Sequence, residues 1–589
     1  MSNMFVKRGI AVSPGVAIGP AVLFGAESFK VQRHYTSKGE IDAEIGRFHA
    51  ALDAICTDIE ENQRVATERL GSELGAIFGA HLLMARSPEL VGEIERLIRD
   101  ETNTPERACD IVLNKYAKLF SDLGSRYHAE RAQDIYDLKN RLLRQLLGKR
   151  RQELSDLTES AIILAHNLTP SETANLKKEF VLGFATEVGG PTSHTAILAG
   201  ALELPAVVGV GDFLSEVNNG DIVIIDGDRG EVIVNPVESV IAERREAQKK
   251  SDANYAALEV DRTAEPITSD GERIQLLGNI EFPTETEHCL ERGADGIGLY
   301  RTEFLYLGRD VEPTEEDHYQ AYCRVIDDLG GRECVIRTLD LGADKVPTSN
   351  GMLAEVPNPA LGLRSIRLSL KYIEGFKTQL RAILRAAANA PPGSVKIMFP
   401  LISSLYEFRQ AKMVVRDVMD DLEEAGGPFQ REMPLGMMVE VPSAAILADH
   451  FATEVDFFSI GTNDLIQYTL AVDRGDPAVS SQYRAGDPAI LRMIRMVVDA
   501  AEKSDRKIPV TVCGQMSSDP KFLPLLIGLG IRRISVTPHS IPELKAVIRR
   551  LTIPKAKDIA THAEWLGLSH GVDNYLQGEL TKICPQLGH

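Results

Sequence analysis

In GGPTSHTAILAG (189–200), His194 stands between Ser193 and Thr195 where a glycine turn gives way to an apolar run. The preceding VLGFATEV reads as a strand, and TAILAGAL carries helical periodicity. His194 would then sit in the first turn of a helix, with Thr192 or Ser193 placed to cap it. Unpaired backbone N–H groups gather at such a start, and the helix dipole favours an anion. A phosphate on His194 would be well received there. The plain alternative is a solvated or capped surface histidine.

A second set of residues could hold a charged ligand. Arg301 lies in GLYRTEF, Arg337 in IRTLD, Glu440 in MVEVP, Asn463 and Asp464 in GTND, Arg474 in AVDRGD and Cys513 in TVCGQ, with Arg364 in LGLRSIR as a further candidate. Glu440 and Asp464 can hold one Mg²⁺, which commonly takes one or two carboxylates and fills its octahedron with water and substrate oxygens. Several arginines facing one mouth would clamp phosphate and carboxylate groups by forked hydrogen bonds. A substrate carrying both groups is implied. Taken singly, each arginine reads as a surface residue, Glu440 as a structural carboxylate, and Cys513 as a small buried hydrophobe.

These side chains need a frame. Eight short apolar runs can be picked out after residue 262: IQLLGNI, GIGLY, CVIRTLD, VKIMFP, LGMMVEV, DFFSIG, PVTVCG and RISVTP. Helical stretches such as KTQLRAILRAAANA lie between several of them, which predicts a (β/α)₈ barrel, with a doubly wound sheet as the alternative. The second set of residues falls at the C-terminal ends of these runs, where such barrels carry their active sites. Earlier in the chain, 9–24 and the runs AIILAH, FVLGFATEV, PAVVGV, DIVIIDG and EVIVN read as strands of an α/β domain. Between them, Ile41 to about Leu147 shows apolar residues three and four apart, a helical block interrupted by RSPEL and ETNTPE. Residues 236–262 are charged and helix-forming, and read as a semi-rigid linker.

At 589 residues the chain exceeds one hydrophobic core and should hold two or three domains. A net charge of −20 argues against nucleic acid or an anionic membrane as partner and suits a partner with a basic face. The N-terminal MSNMFVKRGIAVSPG lacks the apolar core of a signal peptide, and no run approaches a membrane span. The seven cysteines form no CxxC pair or zinc spacing, as expected of free thiols in a reducing cytosol.

LTPSETA (168–174), GGPTSHTAILA (189–199), LELPAVVG (202–209), GLYRTEFLY (298–306), VIRTLDLGADK (335–345), MVEVP (438–442) and DFFSIGTNDLIQYTLAVDRGD (456–476) span nearly the whole chain. In this order the sequence resembles the Enzyme I family of the phosphoenolpyruvate-dependent phosphotransferase system. The resemblance implies a swivelling phosphohistidine α/β domain (1–30 and 150–235) with an inserted helical subdomain (31–149) that binds the carrier protein HPr. A helical linker (236–262) and a phosphoenolpyruvate-binding (β/α)₈ TIM-type barrel (263–575) that also dimerises would follow. It implies a cytoplasmic, Mg²⁺-dependent homodimer that moves the phosphoryl group of phosphoenolpyruvate to His194 and then to HPr, releasing pyruvate. Arg301, Arg337, Asn463, Asp464 and Arg474 would hold phosphoenolpyruvate, Glu440 and Asp464 the metal, and Cys513 would protonate the enolate carbon. Thr169 would hydrogen-bond the active histidine, and Phe78 and Leu82 are the candidates for carrier docking.

Three positions depart from the common pattern. Pro191 and Gly200 stand where many relatives carry arginine, and Gln515 where glutamate is usual. The first two bear on how a phosphohistidine is stabilised, the third on the acidity of Cys513. Two rivals remain. A dikinase-type enzyme would need a nucleotide-binding region of several hundred residues, and no P-loop pattern GxxxxGK[ST] occurs. A nitrogen-linked regulatory branch usually carries a sensor domain ahead of the segment matching GIAVSPG.

Overall fold

The computed structural model describes residues 4–13, 15–24, 39–70, 82, 84–122, 126–147, 157, 159–168, 178–189, 204–227, 229–246, 263–306, 312–342, 358–474 and 479–587. The chain divides into two compact units, Met1–Asp252 and Ala253–His589.

In the first unit, strands β1 (Phe5–Arg8), β2 (Ile10–Ser13), β3 (Val16–Phe24), β4 (Ala161–Ala165), β5 (Val181–Thr186), β6 (Ala206–Val208), β7 (Ile222–Asp226) and β8 (Glu231–Val234) form one sheet in the order β1-β8-β7-β3-β4-β5-β6-β2. β3 to β6 run parallel, and β3, β7, β8 and β1 pair antiparallel. β4 reads AIILA and is buried along its whole length, as a central parallel strand covered on both faces should be. Residues on its two faces join separate cores, Ile162 and Leu164 with Phe213 and Val223, and Ile163 and Ala165 with Phe184 and Leu168.

The helical block enters after β3 and returns at β4, two neighbouring strands, so it is an insertion at one point of the sheet. Its helices are Ile41–Leu70, Pro88–Asp100, Pro105–Asp122 and Arg126–Leu146, around a core that includes Phe48, Ile94, Leu113 and Leu142. The break at RSPEL is chemical: Ser87 accepts a hydrogen bond from the Leu90 N–H, and Pro88 starts the next helix. Leu82 packs against this core, so it is half-buried bundle interior; Phe78 lies outside the described residues. Residues 238–246 are helical, and Arg244 pairs with Asp226 at 2.5 Å and Glu231 at 3.3 Å on the β7–β8 hairpin. The first turns of the expected linker are therefore fastened to the sheet that precedes them.

The second unit is a closed barrel of eight parallel strands: β9 (Gln275–Ile280), β10 (Gly296–Arg301), β11 (Glu333–Arg337), β12 (Val395–Phe399), β13 (Leu435–Val439), β14 (Phe457–Gly461), β15 (Val510–Cys513) and β16 (Arg533–Val536). Pairing of Arg533 to Val536 with Gln275 to Gly278 closes it, which a doubly wound sheet cannot do. Six strands lie within their apolar runs, and β10 and β11 overrun GIGLY and CVIRTLD by one residue each, Arg301 and Glu333. Leu299, Val335, Met398, Met438, Phe457 and Cys513 fill the interior. At the N-terminal end, Arg533 bonds Gln275 and Glu333, and Lys396 pairs with Glu333 at 3.2 Å, an ionic floor of the kind that serves stability. Among the described residues no helix is long and apolar enough to cross a membrane.

Candidate active site

The opposite end of the barrel gathers charge. Arg301 and Arg337 are the last residues of β10 and β11, Glu440 follows β13, Asn463 and Asp464 follow β14, and Cys513 ends β15. Parallel pairing in register is what brings these ends together: Arg301 lies beside Arg337, and Gly461 beside Cys513.

Arg337 is the centre of the cluster. Its guanidinium pairs with Glu303 at 3.1 Å and Asp340 at 3.0 Å, while its Nε is buried without a hydrogen-bond partner. Burial opposes its charge, but Glu303, Asp340 and Glu440 outweigh that and hold it firmly protonated. Asp340 also takes Arg364 at 2.9 Å, Arg364 reaches Asp464 at 3.2 Å, and Arg474 reaches Asp464 at 3.4 Å. Burial works against ionised Asp340, yet Arg337 and Arg364 hold its carboxyl down at about 2. Arg337, Asp340, Arg364, Asp464 and Arg474 thus form one chain of ion pairs across the mouth. Arg301 stands beside it, paired with Glu281 at 2.5 Å.

Glu440 has the opposite electrostatics. It is buried, and its Oε1 accepts the Leu401 N–H. Burial first, then the charges of Asp464 and Asp340, push its carboxyl up to about 8 against the pull of Arg337. Carboxylates crowded in this way fit a divalent cation, which would relieve that repulsion. No cluster of three or more His, Cys, Asp or Glu suited to a metal occurs among the described residues, but Mg²⁺ needs only the pair.

Cys513 faces the interior beside the mouth. Its thiol donates to the Ile460 carbonyl at 3.4 Å, and the Ser459 hydroxyl donates to its sulfur at 3.5 Å. Burial pushes the thiol up, with Glu440 adding to this, while the Ser459 hydrogen bond, Arg337 and Arg301 act the other way. The sulfur keeps its proton at neutral pH. Asn463 accepts the Gln515 N–H at 2.9 Å, and Thr462 donates to the Cys513 carbonyl at 2.9 Å, so the two strand ends are tied. Gly514 is obligatory there: at φ +103°, a Cβ would lie 2.3 Å from Thr462 Oγ1.

His194, Thr169, Ser193, Thr195, Pro191 and Gly200 lie outside the described residues. Glu303, Asp340 and Ser459 were not foreseen as site residues. All three sit inside sequence stretches already singled out, GLYRTEFLY, VIRTLDLGADK and DFFSIG; of the Arg337 partners, Asp340 lies three residues along the chain, while Glu303 comes from the neighbouring strand end and carries no such local signal.

The chain was compared with known proteins. The domain described as "PEP-utilising enzyme, PEP-binding domain" matches residues 255–553, "PEP-utilising enzyme, N-terminal" residues 8–131, and "PEP-utilising enzyme, mobile domain" residues 157–230. The phosphoenolpyruvate-protein phosphotransferase of Staphylococcus carnosus is 41% identical over 98% of this chain and 99% of its own length. The chain belongs to the phosphoenolpyruvate–protein phosphotransferase family. The enzyme of that name from Bacillus sp. is 42% identical over 97% of each chain. A solution structure titled Enzyme I is 42% identical, covers 41% of this chain and 98% of its own, and has a TM-score of 0.35. The mobile-domain match contains His194, and the PEP-binding match contains every barrel-mouth residue named above.

Proposed function

We propose that this phosphotransferase moves the phosphoryl group of phosphoenolpyruvate to His194 and then to a histidine of the carrier HPr, releasing pyruvate, as the first step of sugar phosphotransfer. The observation that carries the reading is the mouth of the barrel. Arg337, Arg364 and Arg474 are linked there through Asp340 and Asp464 beside a raised Glu440 and a protonated thiol. Fixed guanidinium groups suit a ligand with a phosphate and a carboxylate, and charge neutralisation with alignment dominates phosphoryl transfer.

In this reading Arg301, Arg337 and Arg474, with Asn463 and Asp464, hold the substrate, and Arg364 steadies the chain of ion pairs. Glu440 and Asp464 would hold Mg²⁺, which supplies charge neutralisation for substrate oxygens when bound. The imidazole of His194 attacks phosphorus; the P–O bond to the enol oxygen breaks and its electrons stay on the enolate. Cys513 then delivers its proton to the enolate carbon, giving pyruvate and a thiolate that solvent reprotonates. Thr169 steadies the histidine. The acidic surface suits a carrier with a basic face, and the reading includes a cytoplasmic homodimer joined through its barrels.

Calorimetric titration of the protein with phosphoenolpyruvate tests the substrate assignment. Binding should require Mg²⁺, and Arg337→Lys should weaken it by about 3 kcal/mol, on the order of a hundredfold in Kd, because a lysine cannot reproduce the fork. Equal affinity in wild type and variant would remove phosphoenolpyruvate from the barrel mouth.

A further inference from the structure

Behind the charged mouth lies a buried polar cluster to which the reaction above assigns nothing. In the helix Ile373–Ala387, Gln379 is 1% exposed, among residues such as Phe376, Leu380 and Ile383 that are apolar and equally buried. A side-chain amide there costs free energy unless all its bonds are made. Its Oε1 accepts the Leu339 N–H at 3.0 Å, and its Nε2 donates to Thr302 Oγ1 at 3.0 Å and Tyr322 OH at 3.2 Å. Thr302 Oγ1 donates in turn to the Arg337 carbonyl at 3.0 Å, and the Asp340 N–H donates to Glu303 Oε1 at 2.8 Å. Tyr322 OH lies 2.9 Å from His318 Nδ1, on the same helix Glu315–Leu329. One amide therefore fastens the turn after β10 to the segment after β11, and both to the helices outside.

Those two segments carry Glu303 and Asp340, the carboxylates on either side of Arg337. An arginine side chain has many rotamers, and a clamp acts only if it waits in the right one. We propose that Gln379 is a positioning residue for phosphoenolpyruvate: without touching the substrate, its amide fixes the turns bearing Glu303 and Asp340 and so sets how Arg337 and Arg364 face the mouth. This rests on the reading of Arg337 as a substrate clamp. Every side-chain hydrogen bond made by Gln379 goes to another element, none to its own helix, which is the pattern of a cross-brace.

Steady-state kinetics of pyruvate release, with Mg²⁺ and HPr present, test it in Gln379→Met, Thr302→Val and the double variant, each checked for a folded melting transition. Each single change should raise KM for phosphoenolpyruvate about ten-fold and lower kcat by less than about three-fold. The double variant should be no worse than the poorer single, since both cut the same brace. If Gln379→Met does not fold, Gln379→Glu takes its place, keeping the volume and the acceptor while losing the donors. A KM within about two-fold of wild type in the folded Gln379 variant, or effects that multiply in the double, overturns the proposal. Arg337→Lys separates the two readings: if it too leaves KM unchanged, the clamp itself is wrong.

Discussion

At the scale of single residues, Glu440 and Cys513 are protonated for one shared reason, burial, and put it to different uses. Glu440 sits at about 8 in the folded chain, above the ordinary carboxyl value, so its contribution to stability is fully present below about pH 4.5 and is lost as pH rises through about 8. That contribution is on the order of 5 kcal/mol. Metal-free protein should therefore melt at progressively lower temperature between pH 5 and 8.5, and Glu440→Gln should flatten the curve. A metal needs the ionised carboxylate, so Mg²⁺ should raise the melting temperature more at the alkaline end. Identical curves for both proteins, with a pH-independent Mg²⁺ shift, would contradict this. Asp340 is held at about 2 and stays an anion throughout, keeping its arginines in place.

Cys513 bears on chemistry rather than stability. Cys513→Ala should bind phosphoenolpyruvate and still form some phosphohistidine, but release pyruvate more slowly by a factor on the order of a hundred. Cys513→Ser should be nearly as impaired, since a hydroxyl is a far weaker acid. Single-turnover kinetics following the two products separately decide the matter; pyruvate at the wild-type rate in both variants would leave the thiol as packing. The residue types at the mouth were legible in the sequence because arginine, glutamate and cysteine at strand ends are chemically conspicuous. Asp340, Glu303 and Gln379 were not, since a lone carboxylate or amide reads as solvated until its partner's burial is known.

Among the elements, the eight barrel strands were legible because each is a short apolar run bounded by polar turns, and parallel strands buried on both faces have to be so. What the runs did not disclose was register, which decides whether Gly461 or another residue lies beside Cys513. Register is held by unglamorous contacts such as the Asn463 acceptor and the left-handed Gly514. Gly514→Ala should cost about 2 kcal/mol and slow pyruvate formation, because its Cβ would meet Thr462 Oγ1 at 2.3 Å and Asn463 Oδ1 at 2.9 Å. Thermal melting and turnover check it together, and unchanged values in both would show that the strand-end geometry tolerates a side chain.

For the whole molecule, the insertion of the helical block was readable because β3 and the later strands lack partners without each other, and their parallel pairing bears this out. The end of the first unit was less readable: charge and helix propensity in 236–262 describe a linker well, but cannot tell that Arg244 reaches back to Asp226 and Glu231. A fragment meant to keep the first unit intact should thus run to residue 252. In the proposed division of labour the barrel binds phosphoenolpyruvate and His194 carries its phosphoryl group. This division is tested most directly by incubating full chain, His194→Ala and fragment 1–252 with labelled phosphoenolpyruvate and Mg²⁺. Acid-labile, base-stable label is expected at His194 in the full chain alone, with the fragment taking label only from phospho-HPr. Full labelling of His194→Ala, or of the fragment by phosphoenolpyruvate without a barrel, would contradict it.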